Sequence, residues 1–115
     1  MAAPRSRCRA TSVRLPQADL DRFRAAAAVE DGGLVGPFLR RAAIRLSQAA
    51  LDGRAVACAP SVTTTKGDPV VTVRIPPANE ESFKSAASIT DGGRFGAFII
   101  RAGRVLAAEI EKGRR

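Results

Sequence analysis

The chain has 115 residues and a formal net charge of +8, with nineteen Lys and Arg against eleven Asp and Glu. It contains no histidine, tyrosine or tryptophan, which removes the usual general base of enzymes and the commonest zinc ligand. Two cysteines do not make a disulfide framework, and no segment has the length of a membrane span or the pattern of a signal peptide. The sequence therefore predicts a basic cytoplasmic protein that is not an enzyme and has no cofactor, metal site or membrane partner. Such a charge favours a polyanion, because binding releases counterions from phosphate, but charge alone fits a basic protein without that role equally well.

The first nine residues contain Pro4 and three alternating arginines, Arg5, Arg7 and Arg9. They predict a basic N-terminal arm over residues 1–9. Such an arm can lie along a DNA backbone or enter a minor groove, and it can equally be a solvated tail.

A strand is predicted at Thr11–Pro16, T-S-V-R-L-P, where apolar and polar residues alternate. Val13 and Leu15 fall on one face, and Ser12 and Arg14 fall on the other. This period of two is typical of a strand with one buried and one exposed face. The proline ends the strand because it has no N–H group to donate to a ladder.

Two helices follow the strand. Apolar residues recur near helical spacing after Pro16 until Gly32 and Gly33, where glycine accepts the left-handed conformation that ends a helix. A second helix is predicted from about Gly36 to Leu51, with one broad apolar side. Residues 54–69 then hold two prolines and a threonine run, which predict an extended linker.

The chain then repeats itself. Adding 60 to each number aligns Thr11–Arg54 with Val71–Arg114 without a gap, and the second strand reads V-T-V-R-I-P. Both halves therefore read strand, helix, turn, helix, which indicates an internal duplication. Because some 45 residues bury too little apolar surface to fold alone, the two halves are predicted to share one core. Four aligned phenylalanines are expected in it: Phe23, Phe38, Phe83 and Phe98.

One strand followed by two helices, carried by V-R-L-P and V-R-I-P, the D-G-G turns, and F-L-R-R-A and F-I-I-R-A, resembles the ribbon-helix-helix (MetJ/Arc-type) family of DNA-binding proteins. The duplication is similar to conjugation accessory proteins of that family that carry two copies in one chain. The resemblance covers residues 10–53 and 70–113. It implies a mainly α fold with a short two-stranded antiparallel β-ribbon, as a single-chain pseudo-dimer whose two repeats fold as one domain.

The resemblance also implies that outward residues of the ribbon contact base edges in the major groove. By position these are Ala10, Ser12, Arg14, Val70, Thr72 and Arg74. Arginine can donate two hydrogen bonds to guanine, Ser and Thr can donate or accept, and Ala and Val can only offer apolar contact. The two triplets differ, so the preferred site need not be palindromic. An isolated strand arginine is more often a solvated charge, but its duplication on matching strands favours DNA contact.

Backbone N–H groups at the start of the second helix are implied to hold DNA phosphates. The matching positions are Gly33, Leu34, Val35, Gly93, Arg94 and Phe95. Glycine replaces the polar capping residue usual at this turn, and Pro37 removes an amide, so anchoring is expected to be weaker in the first half. Arg94 is expected to make the second half dominant. Arg41 and Arg101 are expected to make polar contacts within the protein.

Three roles remain open for a double-stranded DNA-binding protein of this kind in bacteria. It can be a transcriptional repressor, a plasmid-transfer (relaxosome) accessory factor, or a partition or antitoxin-type autoregulator. The antitoxin role is least favoured, because antitoxins append a toxin-wrapping segment and this sequence ends directly after its second repeat. Side-by-side self-association on DNA and a relaxosome or other protein partner are compatible with these roles. The alternative of another class is a protein-interaction module of the same fold that binds no DNA.

Overall fold

A computed structural model describes residues 9–54 and 66–113 of the chain. The predicted arm up to residue 8, with Arg5 and Arg7, and linker residues 55–65 lie outside the described residues, as do both cysteines. The described residues form a mainly helical fold with a two-stranded antiparallel sheet, which confirms that part of the prediction. In chain order the elements are β1 (Arg9–Arg14), α1 (Gln17–Glu30), α2 (Val35–Leu51), β2 (Val70–Ile75), α3 (Pro77–Asp91) and α4 (Phe95–Gly113).

The two strands pair over their whole length. Arg9 lies opposite Ile75, and the register places Ser12 opposite Thr72, the residue sixty positions later. β1 thus begins at Arg9, two residues before the predicted strand and at the last residue of the predicted arm, because the ladder continues to that residue. The alternation is confirmed. Val13 and Val73 are buried beneath the ribbon, and the residues of the opposite face are exposed: Ser12, Arg14, Thr72 and Arg74.

The glycine pairs end the first helix of each repeat as predicted. Gly32 and Gly33 have φ of 64° and 83°, and Gly92 and Gly93 have 62° and 88°. Side chains with a Cβ rarely adopt such angles, so these turns depend on glycine. They set the direction in which the second helix of each repeat leaves the turn.

The core lies between the ribbon and the helices and contains residues of both repeats in one cluster. All four predicted phenylalanines are fully buried. The Phe23 and Phe38 ring centroids lie 5.7 Å apart, and those of Phe83 and Phe98 lie 5.9 Å apart, in tilted arrangements that aromatic pairs prefer. Their assignment to the core is confirmed.

Helices of the two repeats pack against each other: α1 contacts α4, α3 contacts α2, and α2 contacts α4. Two ion pairs cross between α1 and α4, joining Asp19 to Arg104 and Arg22 to Glu111, each at 2.8 Å. Arg104 and Arg22 donate hydrogen bonds to Asp19 and Glu111, and these bonds are the main cause that raises the pKa of the two guanidinium groups. Within the described residues no helix is long and apolar enough to cross a membrane.

Candidate nucleic-acid interface

The outward face of the ribbon is formed by the six residues predicted to contact bases. All six are exposed, and the antiparallel register arranges them as three cross-strand pairs. From one end of the ribbon to the other, the pairs are Ala10 with Arg74, Ser12 with Thr72, and Arg14 with Val70. The face therefore has hydroxyl groups at its centre and an arginine and a small apolar side chain at each end.

The dimensions of this face follow from strand geometry. Antiparallel strands rise by about 3.4 Å per residue, so the row containing Arg14 lies roughly 14 Å from the row containing Arg74. Base pairs in duplex DNA repeat at about 3.4 Å, so this separation corresponds to about four base pairs. A two-stranded ribbon also fits a major groove, which is about 12 Å wide.

The arginines at the two ends have different surroundings. Arg14 Nη1 donates to the main-chain carbonyl of Lys66, in the turn that precedes β2. Arg74 makes no hydrogen bond or ion pair within the described part of the chain, and it lines a cleft of about 130 Å³ between the ribbon and the first turn of α2. The described residues lining that cleft are Gly36, Pro37, Arg40, Thr72 and Arg74.

The predicted phosphate positions of the first repeat lie in the turn between α1 and α2. The N–H of Gly33 donates to the carbonyl of Ala27 at 3.0 Å, and that of Leu34 donates to Asp31 at 3.1 Å. Val35 is the first residue of α2, whose opening N–H groups have no partner within the helix. Of the three predicted residues, Val35 therefore has the amide best placed to meet an anion.

The second repeat has the same turn geometry. The N–H of Gly93 donates to Ala87 at 3.0 Å, and that of Arg94 donates to Asp91 at 3.1 Å. The Arg94 side chain is exposed, and its Nε lies 3.3 Å from the Asp91 carbonyl. Phe95, the first residue of α4, packs instead against Phe83, with ring centroids 6.4 Å apart. Of the predicted set in this repeat, only Arg94 adds a positive charge.

Arg9, the last arginine of the predicted arm, is part of the ribbon edge rather than of a free tail. Its side chain is exposed and pairs with Glu80 on α3.

Arg41 and Arg101 make the contacts within the protein that the sequence predicts. Arg101 pairs with Asp91 at 3.0 Å, where the aspartate side chain is fully buried. Arg41 pairs with the aligned Asp31 at 2.7 Å in a more exposed setting, and this hydrogen bond is the main cause that raises the pKa of Arg41. Each arginine therefore stabilises the turn that follows the first helix of its repeat.

Sequence reasoning missed two residues beside the ribbon, Gly36 and Arg40. A Cβ on Gly36 would lie 2.9 Å from the Thr72 main-chain oxygen, so glycine allows α2 to approach β2 closely. Arg40 lies four residues later, one helical turn along the same face. The spacing from Gly36 is the signal that could have found Arg40, but the aligned residue is Ile100, so the comparison of the two repeats did not point to position 40.

No protein-family model, curated protein or solved structure matches the chain. Within residues 9–54 and 66–113, no group of three or more His, Cys, Asp or Glu side chains could hold a metal ion.

Proposed function

We propose that the chain is a sequence-specific double-stranded DNA-binding protein whose β-ribbon enters the major groove. The observation that carries the proposal is the outward face, where all six predicted side chains are exposed in three adjacent rows. Each row offers groups that base edges can recognise, with arginine for guanine at both ends and hydroxyls in the middle. The net charge of +8 supplies the attraction for phosphate that such binding needs.

The fold of this proposal is a single-chain pseudo-dimer of two ribbon-helix-helix repeats. The register supports it, because Ser12 pairs with Thr72, its own counterpart sixty residues later. A two-fold axis through an antiparallel ribbon produces such a self-paired row. The exchange of helix contacts between repeats supports it further, since each repeat covers apolar residues of the other.

The role that fits is a cytoplasmic transcriptional regulator or a plasmid-transfer accessory factor. Both roles need a compact reader of a short duplex site, and adjacent copies on DNA or a relaxosome protein would extend that site. The alternative is an interaction module, which is favoured by the aligned Val29 and Ile89, with 44% and 59% of their surface exposed. These two residues would supply an apolar contact outside the ribbon.

The test begins with selection from a random duplex library, because the preferred site is unknown. Binding of the selected duplex is then titrated at several salt concentrations for the wild type and for the Arg14→Ala, Arg74→Ala double variant. One arginine–guanine contact is worth about 1–3 kcal/mol, so losing two should weaken binding by about 30-fold or more.

The control removes two exposed charges at another aligned pair, Arg24 on α1 and Lys84 on α3. An Arg24→Ala, Lys84→Ala variant has the same net charge as the ribbon variant and should keep the preference for the selected duplex. Equal weak binding of every duplex by the wild type, unchanged in the ribbon variant, would refute the proposal and favour the interaction module. Thermal unfolding of each variant verifies that it is folded.

A further inference from the structure

The cleft beside β2 brings two positive charges together without a counter-charge. Arg40 and Arg74 both line it, and none of the five lining residues is acidic. Within the described residues neither guanidinium group has an ion-pair or hydrogen-bond partner. Two like charges facing one cleft repel each other, and an anion bound between them removes that repulsion. The cleft is therefore complementary to an anionic group.

The packing of α2 on the ribbon holds Arg40 in this position. The absence of a side chain at Gly36 allows the first turn of α2 to lie against the main chain of Thr72. Arg40 follows one turn later and is half-buried, so part of its side chain is fixed by its surroundings. A phosphate beside the base pair under Arg74 would meet this guanidinium group.

The opposite end of the ribbon has no such pair. Ile100 occupies the position that aligns with Arg40, and it is fully buried at 1% exposure. Gly96 aligns with Gly36, but a Cβ there would meet nothing within 4 Å, and α4 contacts β1 only slightly. Arg14, the counterpart of Arg74, is bonded to the Lys66 carbonyl.

Arg94 is a second candidate for a phosphate contact near the ribbon. It stands in the turn before α4, where the first repeat has Leu34, and its Nε lies within reach of the Asp91 carbonyl. It lies outside α4, before the helix begins, whereas Arg40 lies one turn inside α2. Gly93 and Phe95, the neighbours of Arg94, lie beside Arg9, Thr11 and Ile75, at the same end of the ribbon as Arg74. Arg94 therefore adds no positive charge at the end that carries Arg14.

From these differences we infer that Arg40 binds a DNA backbone phosphate at one end of the ribbon only, so that the protein binds its duplex in a single orientation. The inference rests on the proposed DNA-binding function and adds a contact residue and a polarity to it. The end under Arg74 is held by base contact and phosphate contact together. The end under Arg14 is held by base contact with weaker backbone anchoring.

The experiment compares Arg40→Ala with Arg94→Ala, which remove one positive charge each. Arg40 lies beside Thr72 and Arg74 of β2, whereas the residues flanking Arg94 lie beside Arg9 and Thr11 of β1. Both variants are titrated against the selected duplex over a range of salt, and phosphate ethylation interference maps the backbone contacts of each protein. Arg40→Ala should weaken binding about tenfold, since one charge-assisted contact is lost. It should also make the negative slope of log K against log salt shallower by about 1. It should also abolish interference at a phosphate on one flank, while Arg94→Ala leaves that phosphate unchanged.

Two results would overturn the inference. If interference in the wild type is symmetric about the site, the two ends are anchored alike. If Arg40→Ala leaves affinity, salt slope and interference unchanged, Arg40 contacts no phosphate. In these cases the wild type still selects a duplex and the DNA-binding proposal stands, whereas a wild type that selects no duplex refutes both. Matching melting temperatures of the variants exclude unfolding as the cause.

Discussion

The close approach of α2 to the ribbon can be tested with two aligned glycines. In Gly36→Ala the new methyl group would lie 2.9 Å from the main-chain oxygen of Thr72, a distance that real Cβ atoms do not tolerate. A backbone oxygen in a paired strand cannot rotate away as a side-chain end can, so α2 or β2 must shift. Overpacking of this kind costs about 1–3 kcal/mol.

Gly96→Ala is the matched variant, because a Cβ at Gly96 meets nothing within 4 Å. Both glycines occupy the second residue of their helix, so replacing either by alanine brings the same gain in helix propensity, up to about 1 kcal/mol. The difference between the two variants therefore isolates the contact with Thr72. We expect Gly96→Ala to be neutral or stabilising, and Gly36→Ala to be less stable than it by about 1–3 kcal/mol.

Urea and thermal unfolding followed by circular dichroism measure this difference. One kcal/mol corresponds to about 3–6 °C in a domain of this size, so the separation is measurable. Gly36→Ala should also bind the selected duplex less tightly, because the shift moves Arg40 away from β2. If both variants have the same stability, the first turn of α2 does not rest on the ribbon, and this contact does not hold Arg40 beside β2.

Two further predictions concern the buried interior. Asp91→Asn should cost about 3–5 kcal/mol, since it removes a fully buried carboxylate from its ion pair with Arg101. Asp31→Asn should cost about 1 kcal/mol, because Arg41 is 34% exposed and also pairs with Glu30. Equal losses in urea unfolding would contradict the difference in burial. Gly103→Ala should destabilise by about 1–3 kcal/mol, because its Cβ would lie 2.6 Å from the Phe23 ring and 2.8 Å from Leu39. An unchanged melting temperature would mean that the ring moves aside.

Much of the fold could be predicted because the same pattern of strand, helix, turn and helix occurs twice in the sequence. A period of two places Val13 and Val73 in the core, and the structure confirms both. The glycine pairs ended the first helices where left-handed angles are needed, and the aligned phenylalanines marked the core. Each of these signals is local. Because each one recurs sixty residues later, a chance occurrence is much less credible than for a single copy.

What the sequence did not predict are the differences between the repeats. Arg40 aligns with Ile100, so a pattern averaged over both halves hides a charge beside the ribbon. The close contact of Gly36 with Thr72 joins residues of different repeats, and no local signal reports it. The hydrogen bond from Arg14 to the Lys66 carbonyl depends on the turn before β2, where the sequence predicted only an extended linker. Alignment predicts what the halves share and conceals where they diverge.

The same divergence appears in the ion pairs between α1 and α4. Asp19 with Arg104 and Arg22 with Glu111 join the first repeat to the second, and the aligned positions on α3 and α2 are uncharged: Asn79, Ile44, Ser82 and Leu51. A pairing of two first repeats would bring Asp19 and Arg22 against apolar partners and lose both ion pairs. Partly exposed pairs contribute only about 0–1 kcal/mol each, so they bias the pairing weakly. The covalent linker favours this pairing much more strongly, because it raises the local concentration of the second repeat. The ion pairs add a weak preference for α4 as the partner of α1. A duplicated chain is thereby free to diverge, because each half always meets the same partner, and a ribbon with two different ends can follow from that freedom.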